Sequence, residues 1–247
     1  MSELAQKRVR SALSLLTPRR VLGLPKVRVG GERDGGYVMI DDLAATGGIA
    51  YSLGVGPDVS WDLAMAERGW TIEQYDHTVD GPPAEHPNCR FHRVGIAPDD
   101  GAAGLRRLDT LMREQGALGR RDHILKMDIE GHEWACLDAM PIGFFDHFHQ
   151  VVAELHWLDH LHSEGFQDLF RRVIGNMRIT HECIHVHANN YADIVVTEGV
   201  PISPVVEITL VKRALYEFGP NHEVFPGVLD MANDASRPDH YLGLYAY

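Results

Sequence analysis

The segment that most constrains the fold is a mainly apolar run at residues 124–129, which carries one carboxylate, Asp128, near its end. Glu130 and Gly131 follow as a turn, and apolar side chains then recur at helical spacing as far as Met140. This pattern predicts a buried strand followed by a helix. Because ligands of open α/β sheets bind beyond the carboxyl ends of the strands, we expect Asp128 to face a site. The simpler alternative is that it only caps the helix.

Strands and helices alternate along most of the chain. Six further β-prone runs indicate strands, at residues 49–56, 71–76, 91–97, 151–156, 179–187 and 205–211. Alternation predicts a mostly parallel sheet with right-handed crossovers. A loop without a strong helical pattern joins the last two runs, so we expect the last strand to be antiparallel. The predicted fold class is therefore α/β, with a Rossmann-like sheet of seven strands.

The length of 247 residues, 45% of them hydrophobic, fits one α/β domain with additions. We predict an N-terminal helix at residues 2–16 and a hairpin lid turning at Asp34 and Gly35, together forming residues 1–45. Residues 46–213 form the core sheet, and residues 214–247 wrap onto it as ordered loops.

Charge and cysteine content limit the partners. The formal net charge is -12, so a general nucleic-acid or anionic-membrane surface is not expected. Cys89, Cys136 and Cys183 match neither a disulfide framework nor a zinc pattern, and free thiols suit a reducing cytoplasm. No apolar run approaches the length of a membrane span. We expect a cytoplasmic protein, with a homo-oligomer left open.

A glycine turn at Gly54 and Gly56 follows the first core strand, and Asp76 lies 20 residues after Gly56. An acid at the end of a second strand typically binds ribose hydroxyls. Val59 and Ser60 leave the turn without the third glycine of the dinucleotide fingerprint. The turn thus suits an adenosine cofactor without a pyrophosphate, such as S-adenosylmethionine. The alternative is an ordinary tight strand-to-helix turn.

Polar residues from several predicted segments, far apart in the sequence, gather at one edge of the sheet. They are Asp128, Glu154, His156, His187, Asn189, Asn190 and Glu207. Convergence of distant segments indicates a site more strongly than a single motif does. The alternative is a hydrogen-bonded network that makes the edge rigid, because buried polar groups are costly unless they are paired.

Two chemical interpretations of this edge remain open. His156 or His187 could be a general base, because imidazole titrates near neutral pH. Alternatively, Asp128, Glu154 and His156 could bind a divalent cation that polarises a substrate hydroxyl. Two carboxylates and one imidazole suit Mg or Mn better than a thiolate-type zinc site.

Residues 126–133 (KMDIEGHE) closely resemble the Lys-x-Asp-x-Glu-Gly-x-Glu signature of FkbM-type methyltransferases. Further segments between residues 27 and 213 resemble related methyltransferase-like proteins in the same order, at residues 33–37, 51–56, 75–78, 154–156, 185–190 and 207–209. His132 departs from the pattern, because many relatives carry a small residue there.

The resemblance implies a class I methyltransferase fold, S-adenosylmethionine as cofactor, and methyl transfer to oxygen, often on sugars or natural products. It assigns the amino-acid end of the cofactor to Gly54 and Gly56, and the ribose to Asp76. The full set expected at the cofactor is Tyr37, Ser52, Gly54, Gly56, Asp58, Asp76, His77 and Asp128.

The leading hypothesis is an S-adenosylmethionine-dependent O-methyltransferase with a small-molecule or sugar acceptor. The expected catalytic residues are His156, Asp128 and His187, and the residues expected to bind the acceptor are Asn189, Asn190 and Glu207. One alternative is a metal-dependent hydrolase without a cofactor. Another is a catalytically silent module that kept the cofactor pocket.

Overall fold

The computed structural model describes residues 3–247. A mixed β-sheet of seven strands lies at the centre of this α/β fold. Its strands are β1 (Ile49–Leu53), β2 (Thr71–Tyr75), β3 (Cys89–His92), β4 (His123–Met127), β5 (Phe148–Leu155), β6 (His181–Ala188) and β7 (Val206–Lys212). Their order across the sheet is β3-β2-β1-β4-β5-β7-β6. β1 to β5 pair in parallel, and β7 pairs antiparallel with β5 and β6. The predicted mixed α/β architecture with a seven-stranded, mostly parallel sheet is confirmed.

Five α-helices accompany the sheet in the described part of the chain. They are α1 (Glu3–Leu13), α2 (Ser60–Glu67), α3 (Leu108–Glu114), α4 (Glu133–Asp138) and α5 (Glu164–Arg178). The predicted N-terminal helix is α1 continued by a 3-10 turn at Ser14–Leu16, while Ser2 lies outside the described residues. Further 3-10 turns lie at Ala117–Gly119, Phe144–His147, Leu158–His162 and Arg213–Leu215. None of the helices within residues 3–247 combines the length and the apolar character needed to cross a membrane.

Short strand pairs surround the sheet. The predicted hairpin is present, with Lys26–Val29 antiparallel to Tyr37–Ile40. Three other pairs were not predicted, and they join Arg19–Val21 to Phe218–Pro220, Gly95–Ile96 to Leu105–Arg106, and Val195–Thr197 to Val200–Ile202. The first of these ties the C-terminal tail to the N-terminal region.

The third predicted strand, residues 91–97, is interrupted in the structure. β3 ends at His92, and the amide of Val94 donates to the His92 carbonyl at 2.7 Å, which turns the chain. Gly95 then packs closely, because a Cβ there would lie 2.4 Å from Nδ1 of His77. The apolar pattern was continuous, but the turn divides it into two short strands.

The two faces of the sheet pack against different elements. Alternate residues of a strand point to opposite faces, and Leu125 and Met127 of β4 join the core formed with α1, α3, α4 and α5. Ile124 faces the other way, toward α2 and the hairpin. Lys126 shares that second face by alternation. Polar residues at the end of this face therefore lie beneath the hairpin.

Candidate functional site

The carboxyl end of β5 and the amino end of β7 lie side by side. Glu154 is directly opposite Glu207, and Glu207 is directly opposite His187. The amide of Asp128, just beyond β4, donates to the Leu53 carbonyl at 2.9 Å. The structure thus brings the polar residues that follow β4 and β5 to the same edge as those of β6 and β7.

Asp128, Glu133 and His156 form a close group at this edge, with one ligand-type atom from each residue within 4.8 Å of the others. His156 Nδ1 lies 3.3 Å from Glu133 Oε2, and His156 Nε2 lies 3.6 Å from Glu130 Oε2. Buried atoms Asp128 Oδ1 and His156 Nδ1 have no hydrogen-bond partner of good geometry. Nδ1 faces the Glu133 carboxylate, so Asp128 Oδ1 is the atom left available to a bound group.

The electrostatic surroundings of His156 favour its charged form. Burial opposes the imidazolium, but the neighbouring carboxylates of Glu133, Asp128 and Glu130 outweigh it, so the pKa of His156 is raised. Glu133 is fully buried and is held by the amides of Ile129 at 2.9 Å and Gly131 at 3.1 Å. A fixed carboxylate beside an imidazole can stabilise the proton that the imidazole takes up.

The predicted cation ligands need one correction. Among the described residues, the only three-residue group with the spacing of metal ligands contains Glu133 in place of Glu154. Glu154 instead accepts a 2.6 Å hydrogen bond from Asn189. Burial, followed by the nearby charges of Asp128 and Glu207, raises the pKa of Glu154 well above its ordinary value. Glu133 was visible in the sequence as the last acid of KMDIEGHE, but its place on α4 hid its proximity to His156.

Backbone strain surrounds this group. Glu130 has φ 57° and Trp157 has φ 66°, both in the left-handed region that non-glycine residues rarely adopt. Packing requires glycine at position 131, because a Cβ there would lie 2.3 Å from Nε1 of Trp157. Strain of about 1–3 kcal/mol per residue persists where the surroundings impose it, and it often marks functional sites.

The two glycines of the turn after β1 have different surroundings. Gly54 has φ +80°, and a Cβ there would lie 1.6 Å from the Asp128 carbonyl oxygen, so it is required for the contact between β1 and β4. Gly56 has φ +58°, and nothing lies within 4 Å of the position its Cβ would take. Lys126, a residue without a predicted role, is buried and donates through Nζ to the Gly54 carbonyl. Only Gly56 leaves room for close approach of a ligand.

Asp76 holds this turn in place. Its Oδ2 accepts from the amides of Val55 at 2.9 Å and Gly56 at 3.4 Å, while Oδ1 accepts from the amide and hydroxyl of Thr78 at 2.7 and 2.6 Å. Burial raises the pKa of Asp76, but these hydrogen bonds outweigh it and lower the pKa. A carboxylate offers about four acceptor sites, so Asp76 is satisfied within the chain, and a ribose would have to displace some of these contacts.

Tyr37 of the hairpin and Ser52 of β1 are both buried. Burial, followed by the charges of Asp128, Glu154 and neighbouring acids, raises the pKa of Tyr37 well above its ordinary value. Tyr37 therefore faces the acidic edge, rather than only the glycine turn. The Ser52 hydroxyl is fully buried and lies near the buried carboxylate of Asp62.

Asp58 and His77 have structural contacts that their predicted role did not include. Asp58 Oδ1 accepts from the amide of Ser60 at 2.7 Å, at the start of α2, and its side chain lies against Gly35 of the hairpin loop. His77 is exposed and packs on Gly95. The cofactor role of both residues stays a prediction.

The contacts of His187 argue against its predicted role as a general base. Its Nδ1 lies 3.2 Å from Glu207 Oε2, and its Nε2 lies 3.0 Å from Asp239 Oδ2. Burial lowers the pKa of His187, but the hydrogen bonds to Asp239 and Glu207 raise it to about 10. Both nitrogens are occupied by carboxylates, so His187 is an imidazolium that joins β6 to the tail.

The contacts of Asn190 likewise argue against its predicted role in binding the acceptor. Its Nδ2 donates to the Asp234 carbonyl at 2.9 Å, and its Oδ1 accepts from the Asp234 amide at 2.8 Å. Nδ2 also contacts the carbonyls of Arg237 and Pro238 at 3.3 Å. These bonds anchor the tail and leave Asn190 no free polar atom.

Asn189 and Glu207 do lie at the edge. Asn189 donates to Glu154, and Glu207 Oε1 accepts from Asn233 Nδ2 at 2.7 Å. Asn233 and Asp239 come from the tail, where no motif or periodicity marked them. They could have been found only from the fold, because their partners are far away in sequence.

Two surface hollows lie outside this edge. One, of about 480 Å³, is lined by Gln74, Pro82, Glu85, His86, Pro87, Cys89 and Phe91. The other, of about 360 Å³, is lined by Asp41, Asp42, Leu43, Ala44 and Arg68. Neither contains the group of Asp128, Glu133 and His156.

No family model matches the chain, and no curated protein matches it. The function proposed for the site therefore rests on the chain's own residues and their geometry.

Proposed function

We propose that the protein is an S-adenosylmethionine-dependent O-methyltransferase with a class I methyltransferase fold, related to the FkbM type. The acceptor is a hydroxyl of a small molecule or sugar. The observation that carries this proposal is the position of Asp128. Its carbonyl packs on the glycine turn at Gly54, and its side chain lies with His156 and Glu133. Asp128 thus contacts both the glycine turn, where a cofactor would bind, and a group of side chains that can transfer a proton.

The sheet supports the proposal. A seven-stranded, mostly parallel sheet whose last strand, β7, is antiparallel is the arrangement that the resemblance to class I methyltransferases implies. In this arrangement, the glycine turn follows β1, which lies between β2 and β4, and Asp76 follows the neighbouring strand β2. Ligands of such sheets bind at this edge.

The fit of the cofactor rests on Gly56 and Asp76. The open space at the missing Cβ of Gly56 lets a ligand approach the backbone. The hydrogen bond from the Gly56 amide to Asp76 is the longest of the four, at 3.4 Å, and the Thr78 hydroxyl can rotate. Ribose hydroxyls would replace these two contacts. When bound, S-adenosylmethionine supplies the activated methyl group.

His156 is the proposed general base. Nε2 of His156 accepts the proton of the acceptor hydroxyl, and Glu133, whose Oε2 lies 3.3 Å from Nδ1, stabilises the resulting imidazolium. The backbone amides that hold Glu133 keep it in position. Because the pKa of His156 is raised, activity should fall as the pH is lowered through that pKa and His156 becomes protonated.

A second candidate is a divalent-metal-dependent reaction, including hydrolysis without a cofactor. The group of Asp128, Glu133 and His156 favours it, because two carboxylates and an imidazole can hold Mg or Mn. Glu133 fits less well, since both of its carboxylate oxygens already accept from backbone amides.

The proposal is tested by incubating the full chain with S-adenosylmethionine and a panel of hydroxylated acceptors, and measuring S-adenosylhomocysteine release. His156→Ala should lower turnover by about 10²–10⁴-fold, the usual contribution of a general base. The affinity for S-adenosylhomocysteine should stay within about twofold, because His156 lies outside the glycine turn.

His132→Ala is the matched control, because His132 is an exposed histidine outside the group of Asp128, Glu133 and His156. Unchanged turnover in His156→Ala would exclude His156 as the base. Cofactor binding without transfer to any acceptor would favour the silent binding module. Hydrolysis that requires added Mg or Mn, without cofactor binding, would favour the hydrolase.

A further inference from the structure

Lys126 of β4 is a buried ammonium beside the glycine turn. It is 6% exposed, and its Nζ donates to the Gly54 carbonyl. An ammonium has three N–H donors, and the Gly54 carbonyl is the only acceptor that Lys126 Nζ meets within residues 3–247. Two donors therefore remain for a bound group.

The positive charge of Lys126 has no carboxylate in contact with it. No carboxylate oxygen of the described chain lies within 4.0 Å of Nζ. Its charge acts on Asp62 of α2 and Asp34 of the hairpin loop, but burial raises the pKa of both acids in spite of that charge. These acids accept instead from the neutral amides of Gln74 at 2.9 Å and Asn233 at 3.2 Å. A buried charge without a partner is costly, so this position favours an anionic ligand.

The amides of the glycine turn are already used within the chain. The Gly54 amide donates to the last carbonyl of β2 at 3.0 Å, and the amides of Val55 and Gly56 donate to Asp76 at 2.9 and 3.4 Å. Pro57, the next residue, has no amide hydrogen. Displacing the 3.4 Å bond would free one amide, but a neutral amide brings no positive charge to a carboxylate. The backbone of the turn is therefore a poor site for the amino-acid end of a cofactor.

Lys126 supplies the charge that the turn lacks. Among the described residues it is the only basic side chain that hydrogen-bonds to residues 54–58. Asp76 contacts the same turn through the amides of Val55 and Gly56. An anion at Lys126 and a ribose at Asp76 would therefore both lie against this turn, as two parts of one small ligand must.

We propose that Lys126 binds the carboxylate of the methionine part of S-adenosylmethionine, the group that the resemblance assigns to Gly54 and Gly56. The two N–H groups that Gly54 does not use donate to the carboxylate oxygens, and the opposite charges make these hydrogen bonds strong. Gly54 then has a different role, because its carbonyl holds the ammonium in place. This inference rests on the proposed function, since it concerns a group of the proposed cofactor.

The test compares S-adenosylhomocysteine with its decarboxylated analogue, which keeps the adenosine, the thioether and the amine and lacks only the carboxylate. Each ligand is titrated calorimetrically into the full chain, in the wild type and in Lys126→Met, which keeps an unbranched side chain without the charge. The wild type should bind S-adenosylhomocysteine at least about tenfold more tightly than the analogue, the difference expected for one charge-assisted hydrogen bond. Lys126→Met should bind S-adenosylhomocysteine at least about tenfold more weakly than the wild type, while the affinity for the analogue should not fall.

Lys212→Met is the matched control. Lys212 is also buried, at 8% exposure, and it also donates to backbone carbonyls, those of Arg121 and Asp146. It ends β7 and lies at the edge of the sheet opposite to the glycine turn. Both ligand affinities of Lys212→Met should therefore equal those of the wild type.

Equal binding of the two ligands to the wild type would overturn the assignment, and this comparison needs no variant to fold. An unchanged preference in Lys126→Met would overturn it too. So would equal weakening of both ligands, because Lys126 would then only hold the turn. In these cases the cofactor still binds, so the proposed function survives. Binding of neither ligand to the wild type would refute the proposed function, and the assignment with it.

Discussion

At the scale of single residues, Gly54 and Gly56 have different roles although both belong to the turn after β1. Both have positive φ, but only Gly54 touches another strand end, at the Asp128 carbonyl. The sequence predicted the glycine turn and assigned both glycines to the cofactor. It could not separate them, because the contact with Asp128 joins residues far apart in sequence.

Gly54→Ala should destabilise the fold by at least about 3 kcal/mol, from left-handed strain together with the clash against Asp128. Gly56→Ala should cost only about 1–2 kcal/mol, from strain alone. Urea unfolding followed by circular dichroism measures both. Equal losses in the two variants would show that Gly54 does not pack on Asp128 as described.

A second prediction at this scale concerns the charge of His187. Its pKa is raised from the ordinary 6.5 to about 10 in the folded protein, because Asp239 and Glu207 outweigh burial. A raised folded-state pKa gives stability that is fully present below pH 6.5 and is lost as the pH rises through about 10. The wild type should therefore exceed His187→Gln in stability by roughly 3 kcal/mol at low pH, and the difference should shrink toward pH 10.

Urea unfolding at several pH values from 6 upward tests this prediction, with His222→Gln as an exposed control. A difference between wild type and His187→Gln that is independent of pH would mean that His187 is neutral in the folded state.

At the scale of elements, the C-terminal tail depends on a few polar anchors. Asn190 carries hydrogen bonds to Asp234, Arg237 and Pro238, and His187 binds Asp239. These contacts place Asn233 against the hairpin residue Asp34. The tail and the hairpin therefore close together over the edge that carries Glu154 and Glu207.

Asn190→Ala should loosen this closure while leaving the sheet intact. Amides of residues 230–240 should exchange at least about tenfold faster, because local opening becomes easier by roughly 1.4 kcal/mol or more. Amides of β4 and β5 should be unchanged. Hydrogen exchange with mass spectrometry measures both, and Tyr241→Ala is the control, because Tyr241 is 77% exposed. Uniform acceleration across the chain would instead indicate global destabilisation.

The sequence predicted elements well where the pattern was local. Strand β4, the helix after it, the N-terminal helix and the hairpin all follow from apolar spacing and turn residues. It failed where the pattern was continuous but the backbone turned, as at Val94 after β3. It also missed the pairing of Arg19–Val21 with Phe218–Pro220, because nothing local specifies partners at opposite ends of the chain.

At the scale of the whole molecule, the sheet decides which distant residues meet. The order of strands brings Asp128, Glu154 and Glu207 to one edge, and the sequence predicted this convergence from strand direction. It did not predict which side chains remain free. The side chain of His187 is paired with carboxylates and is not free to act as a base. Glu133, which had no predicted role, lies beside His156. Such pairings depend on side-chain reach in three dimensions, which spacing along a strand does not give.

The central claim is that the edge around Gly56, Asp76 and Asp128 forms a cleft for an adenosyl cofactor. The most direct measurement is a calorimetric titration of the full chain with S-adenosylhomocysteine, in the wild type and in Asp76→Ala. We predict saturable binding at one site per chain, weakened at least about tenfold in the variant, since Asp76 holds the turn and would bind the ribose. No binding to the wild type, or equal binding to Asp76→Ala, would contradict this account.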